Sequence, residues 1–166
     1  VNLLLPLGNG FADIDGSDRR PLLVGGGVGI APMLYLGKCM SLQHAIRPTF
    51  LVGARSAADV LQLKALQQWG DVFVTTEDGT MGEKGLVTAS TAWNEKWTSV
   101  YCCGPAPMMK AIAQMCHRAG LPCKVSLENM MACGLGACLC CVEKTVRGNV
   151  CVCTEGPVFD TTELTW

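Results

Sequence analysis

Pro21-Leu22-Leu23-Val24-Gly25-Gly26-Gly27-Val28-Gly29-Ile30-Ala31-Pro32 decides the fold. An apolar run of strand length ends in glycines, and a helix-like stretch from Ala31 to Leu42 follows. An unbroken apolar strand suits a sheet covered on both faces. The same unit recurs downstream. Thr49-Phe50-Leu51-Val52 reads as a strand before a helix across Ala57 to Trp69. Val72-Phe73-Val74-Thr75 reads as a third strand, before a glycine-rich turn and a helix near Leu86 to Trp93. Ser99-Val100-Tyr101-Cys102 precedes a helix from Pro107 to Ala119, with Pro105 and Pro107 near its start, where proline is tolerated. Lys124-Val125-Ser126-Leu127 is the fifth strand. This alternation predicts an α/β fold, a five-stranded parallel sheet with helices on both faces.

Composition narrows the function classes. Of 166 residues, 49% are hydrophobic and 16% charged, which excludes a disordered chain. Thirteen Lys and Arg balance 14 Asp and Glu without a basic block, so no nucleic-acid partner is expected. The uncharged run from Pro21 to Gly37 is interrupted by Gly25-Gly26-Gly27 and Pro32 and falls short of the roughly 20 apolar residues of a membrane helix. Val1 to Leu5 lacks the basic start of a secretory signal, so a cytoplasmic location is expected. The chain does not begin with Met and is read as a processed protein or a fragment.

Cysteine is the outlier. There are 11 in all, an odd count in an apolar chain, and this disfavours a framework of disulfides. Six of them lie between Cys133 and Cys153. From Glu128 onward the chain turns to Gly/Cys-rich loops with short strands at Val142 to Val146 and Val150 to Val152. The expected organisation is a connector over residues 1–20, a nucleotide-binding α/β domain over 21–127 and a small metal-binding domain over 128–166.

Two glycine-bearing loops end predicted strands. Gly25, Gly26, Gly27, Val28 and Gly29 allow a tight turn and a close backbone approach, and the helix start offers N–H groups to a pyrophosphate. Cys103, Gly104 and Pro105 end another strand. Ligands of open parallel sheets sit at these carboxyl ends, so the two loops are candidates to flank one dinucleotide crevice. The glycines also suit plain strand–helix packing, and Cys103 a buried packing thiol. Thr76 to Thr80 and Gly82 to Gly85 read as a solvated turn or a further cleft loop. Arg55-Ser56 follows the second strand, where a ribose 2′-phosphate would be read, so the residues leave NAD against NADP open.

Cys133, Cys138 and Cys141 have the C-x4-C-x2-C spacing of plant-type iron–sulfur loops, which draw a fourth cysteine from farther along. Cys151 and Cys153 are the candidates. Gly134 and Gly136 let the loop wrap tightly. A four-thiolate zinc site is the rival, although zinc favours two separate C-x2-4-C knuckles. Cys140 is expected to turn away and pack. Cys39, Cys102, Cys116 and Cys123 read as core or spare thiols, His44 and His117 as surface residues, and the tryptophans as packing.

Leu22 to Met33, Tyr101 to Met109, and Ser126 to Phe159 with SLENMMACGLGACLCCV and CTEGPVF resemble the electron-transfer subunit of heterotetrameric, B-type dihydroorotate dehydrogenase, within the ferredoxin-reductase-like flavoproteins. The resemblance implies an FAD-binding barrel, an NAD-binding α/β domain and a 2Fe–2S domain. Pro6 to Phe11 looks like the exit from that barrel, which this chain lacks together with most FAD contacts. The resemblance further implies cluster ligands Cys133, Cys138, Cys141 and Cys153, the last standing just before the acidic-Gly-Pro-Val-Phe run. It implies an NAD cleft at Gly25 to Gly29 and Cys103 to Pro105. The implied activity carries electrons from a dihydroorotate-oxidising FMN subunit, through 2Fe–2S and FAD, to NAD+ in pyrimidine biosynthesis. Subunits of NADH-dependent ferredoxin:NADP reductases share the architecture, though their first cluster ligand can be aspartate, and Cys133 favours the dihydroorotate branch. A zinc-stabilised, non-redox nucleotide-binding module is the remaining alternative.

Overall fold

The computed structural model describes residues 7–11, 14 and 18–166. The remainder of the expected connector, including Pro6, lies outside the described residues. The chain runs β1 (Pro21–Gly26), α1 (Ile30–His44), β2 (Thr49–Ala54), α2 (Leu63–Trp69), β3 (Asp71–Thr76), β4 (Glu83–Lys84), β5 (Ser99–Cys103), α3 (Ala106–Ala119) and β6 (Cys123–Ser126). It continues through β7 (Val142–Thr145), β8 (Gly148–Cys151), the short α4 (Val152–Glu155) and β9 (Val158–Asp160).

The main sheet has the order β4-β3-β2-β1-β5-β6-β9, and β7 and β8 form a separate antiparallel pair. Every pairing in the main sheet is parallel except β6 with β9. The five expected strands are present and parallel, and β4 and β9 extend the sheet at its two edges. Strand alternation sorts the core onto two faces. Leu22, Val24, Leu51, Val100 and Cys102 face α3, whose Met109, Ile112 and Cys116 pack on them. Leu23, Phe50, Val52, Tyr101 and Cys103 face α1 and α2 through Ile30, Met33, Leu36, Met40 and Leu66. Helices on both faces leave the carboxyl edge of the sheet as the place for ligands.

Two expected helices form only in part. Around Leu86 to Trp93 the chain makes two 3-10 turns, Val87–Ala89 and Thr91–Asn94. Hydroxyl side chains divert the backbone there: the Glu83 carboxylate accepts from Ser90 Oγ, Thr91 Oγ1 and the Thr91 amide, and Ser90 caps the second turn. Across Ala57 to Trp69, a 3-10 turn at Ala57–Asp59 is separated from α2 by Gln62 in the left-handed region, φ 59°.

The C-terminal segment shares the core of the sheet. Cys141, Val152, Cys153, Phe159 and Leu164 are buried together with Leu22, Val125 and Leu127. Trp93, Trp97 and Trp166 pack against this cluster and Trp69 against the other. Cys102, Cys116 and Cys123 are buried, Cys39 is half-buried and His117 exposed. Among the described residues, no helix is long and apolar enough to cross a membrane.

At Gly29 the first turn meets the end of β5 directly. A Cβ there would lie 2.4 Å from the Cys103 carbonyl oxygen and 2.7 Å from the Gly104 nitrogen, both backbone atoms with little room to yield. Overpacking of this kind costs about 1–3 kcal/mol. Gly29→Ala is therefore expected to lower the Tm by roughly 5 °C at 2–4 °C per kcal/mol for a chain of this size. An unchanged thermal transition would contradict the close approach.

Candidate functional site

The turn after β1, the ends of β2 and β3, and the start of α3 enclose a cavity of about 630 Å³. Gly26, Gly27, Val28 and Pro105 line it, as do Ala54, Arg55, Asp59, Glu77, Val87 and Met108. Gly25, Gly29, Cys103 and Gly104 do not line this cavity. Gly25 closes against Ile30, and Gly29 packs on the β5 end. Cys103 is buried, and Gly104 opens onto a smaller cavity beside Leu127, Glu128 and Trp166. The sequence-derived cleft residues thus divide into a lining layer and a supporting layer behind it.

Arg55 and Ser56 are both engaged by a residue that the sequence reading passed over. Ser56 Oγ donates to Asp59 Oδ2 at 2.9 Å, and Arg55 Nε stands 3.9 Å from the same oxygen. Asp59 and Glu77 line this end of the cavity. A carboxylate beside the second strand accepts from a ribose hydroxyl, whereas a 2′-phosphate would meet like charge there. The signal available in the sequence is the Ser-x-x-Asp spacing, a local side-chain turn.

Cys103 is a neutral thiol. Burial, and then the nearby Glu128 carboxylate, push it up to about 11, and its Sγ stands 3.7 Å from Glu128 Oε1. Glu128 opens the segment that leads to the cysteine loop, so the loop grows from the edge of the sheet where β5 and β6 end.

The four candidate ligands, three on that loop and Cys153 on α4, form two pairs. Cys133 interacts with the Cys138 thiol, and Cys141 with the Cys153 thiol. Backbone amides point at the sulfurs. Leu135 N and Cys138 N donate to Cys133 Sγ at 3.3 and 3.4 Å. Gly136 N donates to Cys153 Sγ at 3.2 Å, and Cys153 N to Cys141 Sγ at 3.4 Å. These donors stabilise thiolate: those from Leu135 and Cys138 draw Cys133 down to about 6, and that from Cys153 lowers Cys141. Gly134 and Gly136 take φ of 71° and 75°, which turns the chain around the sulfurs. Cys153 is itself raised, chiefly by its hydrogen bond to Cys141. Cys151 also reaches Cys141; its thiol donates to the Gly136 carbonyl at 3.6 Å and burial raises it. Cys140 is exposed and belongs to neither buried cluster, so it does not serve as the packing residue expected from the sequence: the loop that carries it runs over the surface.

Two thiol pairs suit two metal centres, each taking two sulfurs from the protein. The thiolate-stabilising amides are the outer-shell donors that an iron–sulfur cluster uses. The residues present therefore fit a 2Fe–2S group.

Comparison with known proteins agrees with this geometry. Residues 23–114 match the family model of the oxidoreductase NAD-binding domain, and the chain belongs to that family. Residues 128–165 match the iron–sulfur cluster binding domain of dihydroorotate dehydrogenase B. The chain is 40% identical over 166 residues to the dihydroorotate dehydrogenase B (NAD(+)), electron transfer subunit, of Clostridium perfringens, covering 99% of this chain and 66% of that one. It is 42% identical over 165 residues to the subunit of the same name from Caldanaerobacter subterraneus, covering 93% and 62%. The chain thus spans a little under two thirds of the length of these curated relatives. Among solved structures, an NADH-dependent reduced ferredoxin-NADP oxidoreductase superimposes with a TM-score of 0.87 at 30% identity, covering all of this chain and 60% of that one. The cytochrome b5 reductase domain of Ulva prolifera nitrate reductase shares the fold, with a TM-score of 0.53 at 19% identity over 63% of this chain and 45% of that one.

The amides around Cys133 give a direct prediction. In the metal-free chain, alkylation at Cys133 is expected to rise as pH increases through about 6, where its thiol deprotonates. Peptide mapping after iodoacetamide pulses reads the profile, and a midpoint near the ordinary thiol value of about 8.5 would contradict the amide cradle.

Proposed function

We propose that this chain is the nucleotide- and cluster-holding part of an electron transfer subunit of dihydroorotate dehydrogenase B, serving pyrimidine biosynthesis in the cytoplasm. Residues 1–20 form its connector, 21–127 its NAD-binding domain and 128–166 its 2Fe–2S domain. The observation that carries the reading is the pair of paired thiols, set in amide donors, on a loop that leaves the same sheet edge as the nucleotide cavity. An odd count of eleven cysteines, four of them proposed as metal ligands, suits a reducing compartment.

Each part of the chain then has a task. Nicotinamide carries two electrons as hydride, a 2Fe–2S cluster carries one at a time, and FAD exchanges either. Cys133, Cys138, Cys141 and Cys153 would hold the cluster, and the amides of Leu135, Gly136, Cys138 and Cys153 would offset the negative charge on these thiolates. Gly26 to Val28 admit the pyrophosphate of NAD, and Asp59 accepts from its adenosine ribose. Gly25, Gly29, Cys103 and Gly104 support the cleft from behind, and Pro105 closes its far side. Neutral Cys103 is unsuited to act as a nucleophile.

The partner is an FMN-containing, dihydroorotate-oxidising catalytic subunit, in a heterotetramer. Met130, Met131, Leu135 and Leu139 support this assignment. They surround the ligand loop and are 81, 53, 66 and 63% exposed, an apolar collar of the kind that partners cover. Docking there would also exclude water from the cluster.

Two variants test the reading in the intact subunit. Cys138→Ser is expected to abolish the visible cluster absorbance while NAD+ binding persists, and an unchanged spectrum would overturn the ligand assignment. Leu135→Asp is expected to weaken association with the catalytic subunit about tenfold or more, as central apolar contacts do. Equal co-purification of variant and parent would remove the collar from the interface.

A further inference from the structure

The stretch Leu7 to Phe11 is absorbed by neither the nucleotide cavity nor the thiol loop, yet it touches the structures that hold both. Asn9 Nδ2 donates to the carbonyls of Thr154 and Glu155, each at 3.1 Å. The Asn9 amide donates to Gly156 O, and Val158 N donates back to Asn9 O at 3.3 Å. Two residues on, the Phe11 ring meets the edge of Tyr101 on β5, with centroids 5.7 Å apart at 78°.

Thr154 and Glu155 end α4, the single helical turn that presents Cys153. A helix this short leaves its last carbonyls without intrahelical partners, so its geometry depends on donors from outside. Asn9 supplies two from its side chain and one from its backbone. Cys153 is in turn tied to the ligand loop through Gly136 N and Cys141 Sγ. Asn fits this position because its NH₂ carries two donors, whereas the near-isosteric Asp carries none when ionised.

We propose that Asn9 is a positioning residue for the metal cluster: from outside the cluster segment, it fixes the α4 turn and with it the Cys153 sulfur. The inference rests on the reading of Cys153 as the fourth ligand. Phe11 anchors the same stretch to β5, so the connector registers the cluster turn against the nucleotide-binding sheet. The interaction is remote in sequence, with Thr154 standing 145 positions beyond Asn9.

The test uses the intact subunit with its cluster loaded. Parent, Asn9→Asp, Asn9→Ala and Asn9→Gln are compared by the rate of iron release to a chelator, by the electron paramagnetic resonance of the reduced protein, and by NAD+ affinity. Asn9→Asp and Asn9→Ala are expected to release iron about tenfold faster, the low end of what loss of an outer-shell partner costs in metal affinity. Their resonance should shift, and NAD+ affinity should remain within about twofold, since Asn9 does not line the nucleotide cavity. Asn9→Gln, which keeps both donors, should recover part of the loss. Iron release and resonance equal to the parent in Asn9→Asp would overturn the assignment. A joint loss of iron and NAD+ affinity would also overturn it, by showing general unfolding. A parent that binds no iron would overturn the cluster reading itself.

Discussion

The contact between Gly29 and the backbone of Cys103 sets the geometry of the molecule. The turn after β1 and the end of β5 meet there so closely that a single methyl group would collide with a carbonyl at 2.4 Å. Because β1 is central and β5 lies beside it, this contact fixes the turn after β1 and the start of α3 as two walls of one cleft. The covering helices take both faces of the sheet and leave the carboxyl edge for ligands. Glycine at position 29 is thus a condition for the cavity, although it does not touch the cavity itself.

The same edge carries the second centre. From β6 the chain passes Glu128 and enters the cysteine loop, then returns through α4 to lay β9 antiparallel against β6. The loop is therefore tied to the sheet at both ends. Its sulfurs sit among backbone amides, which supply fixed partial positive charge without a cationic side chain. That arrangement suits a group whose charge changes by one electron, because the donors need not reorganise. The nucleotide end is acidic by contrast, with Asp59 occupying Arg55 and Ser56.

The five parallel strands are legible because each is a continuous apolar run ending at a turn, and burial on both faces demands that pattern. The cysteine spacing is legible for a related reason: ligands on one loop must recur at short, fixed intervals. Other features depend on contacts remote in sequence. β9 has three residues, Val158–Asp160, and is a strand only because β6 lies beside it. The turns at Val87–Asn94 follow from Glu83 capturing Ser90 and Thr91. Asp59 stands three residues beyond Ser56, and its role emerges only when the turn folds it back. Gly25 and Gly29 belong to the glycine motif by sequence, yet packing places them behind the cleft.

The central claim is that the four thiols hold two irons in pairs. Iron, zinc and acid-labile sulfide measured on the anaerobically purified protein, together with its visible spectrum, test this directly. The account predicts about two irons and two sulfides per chain with visible absorbance, the content of a 2Fe–2S cluster. One zinc per chain with no sulfide and no visible absorbance would contradict it.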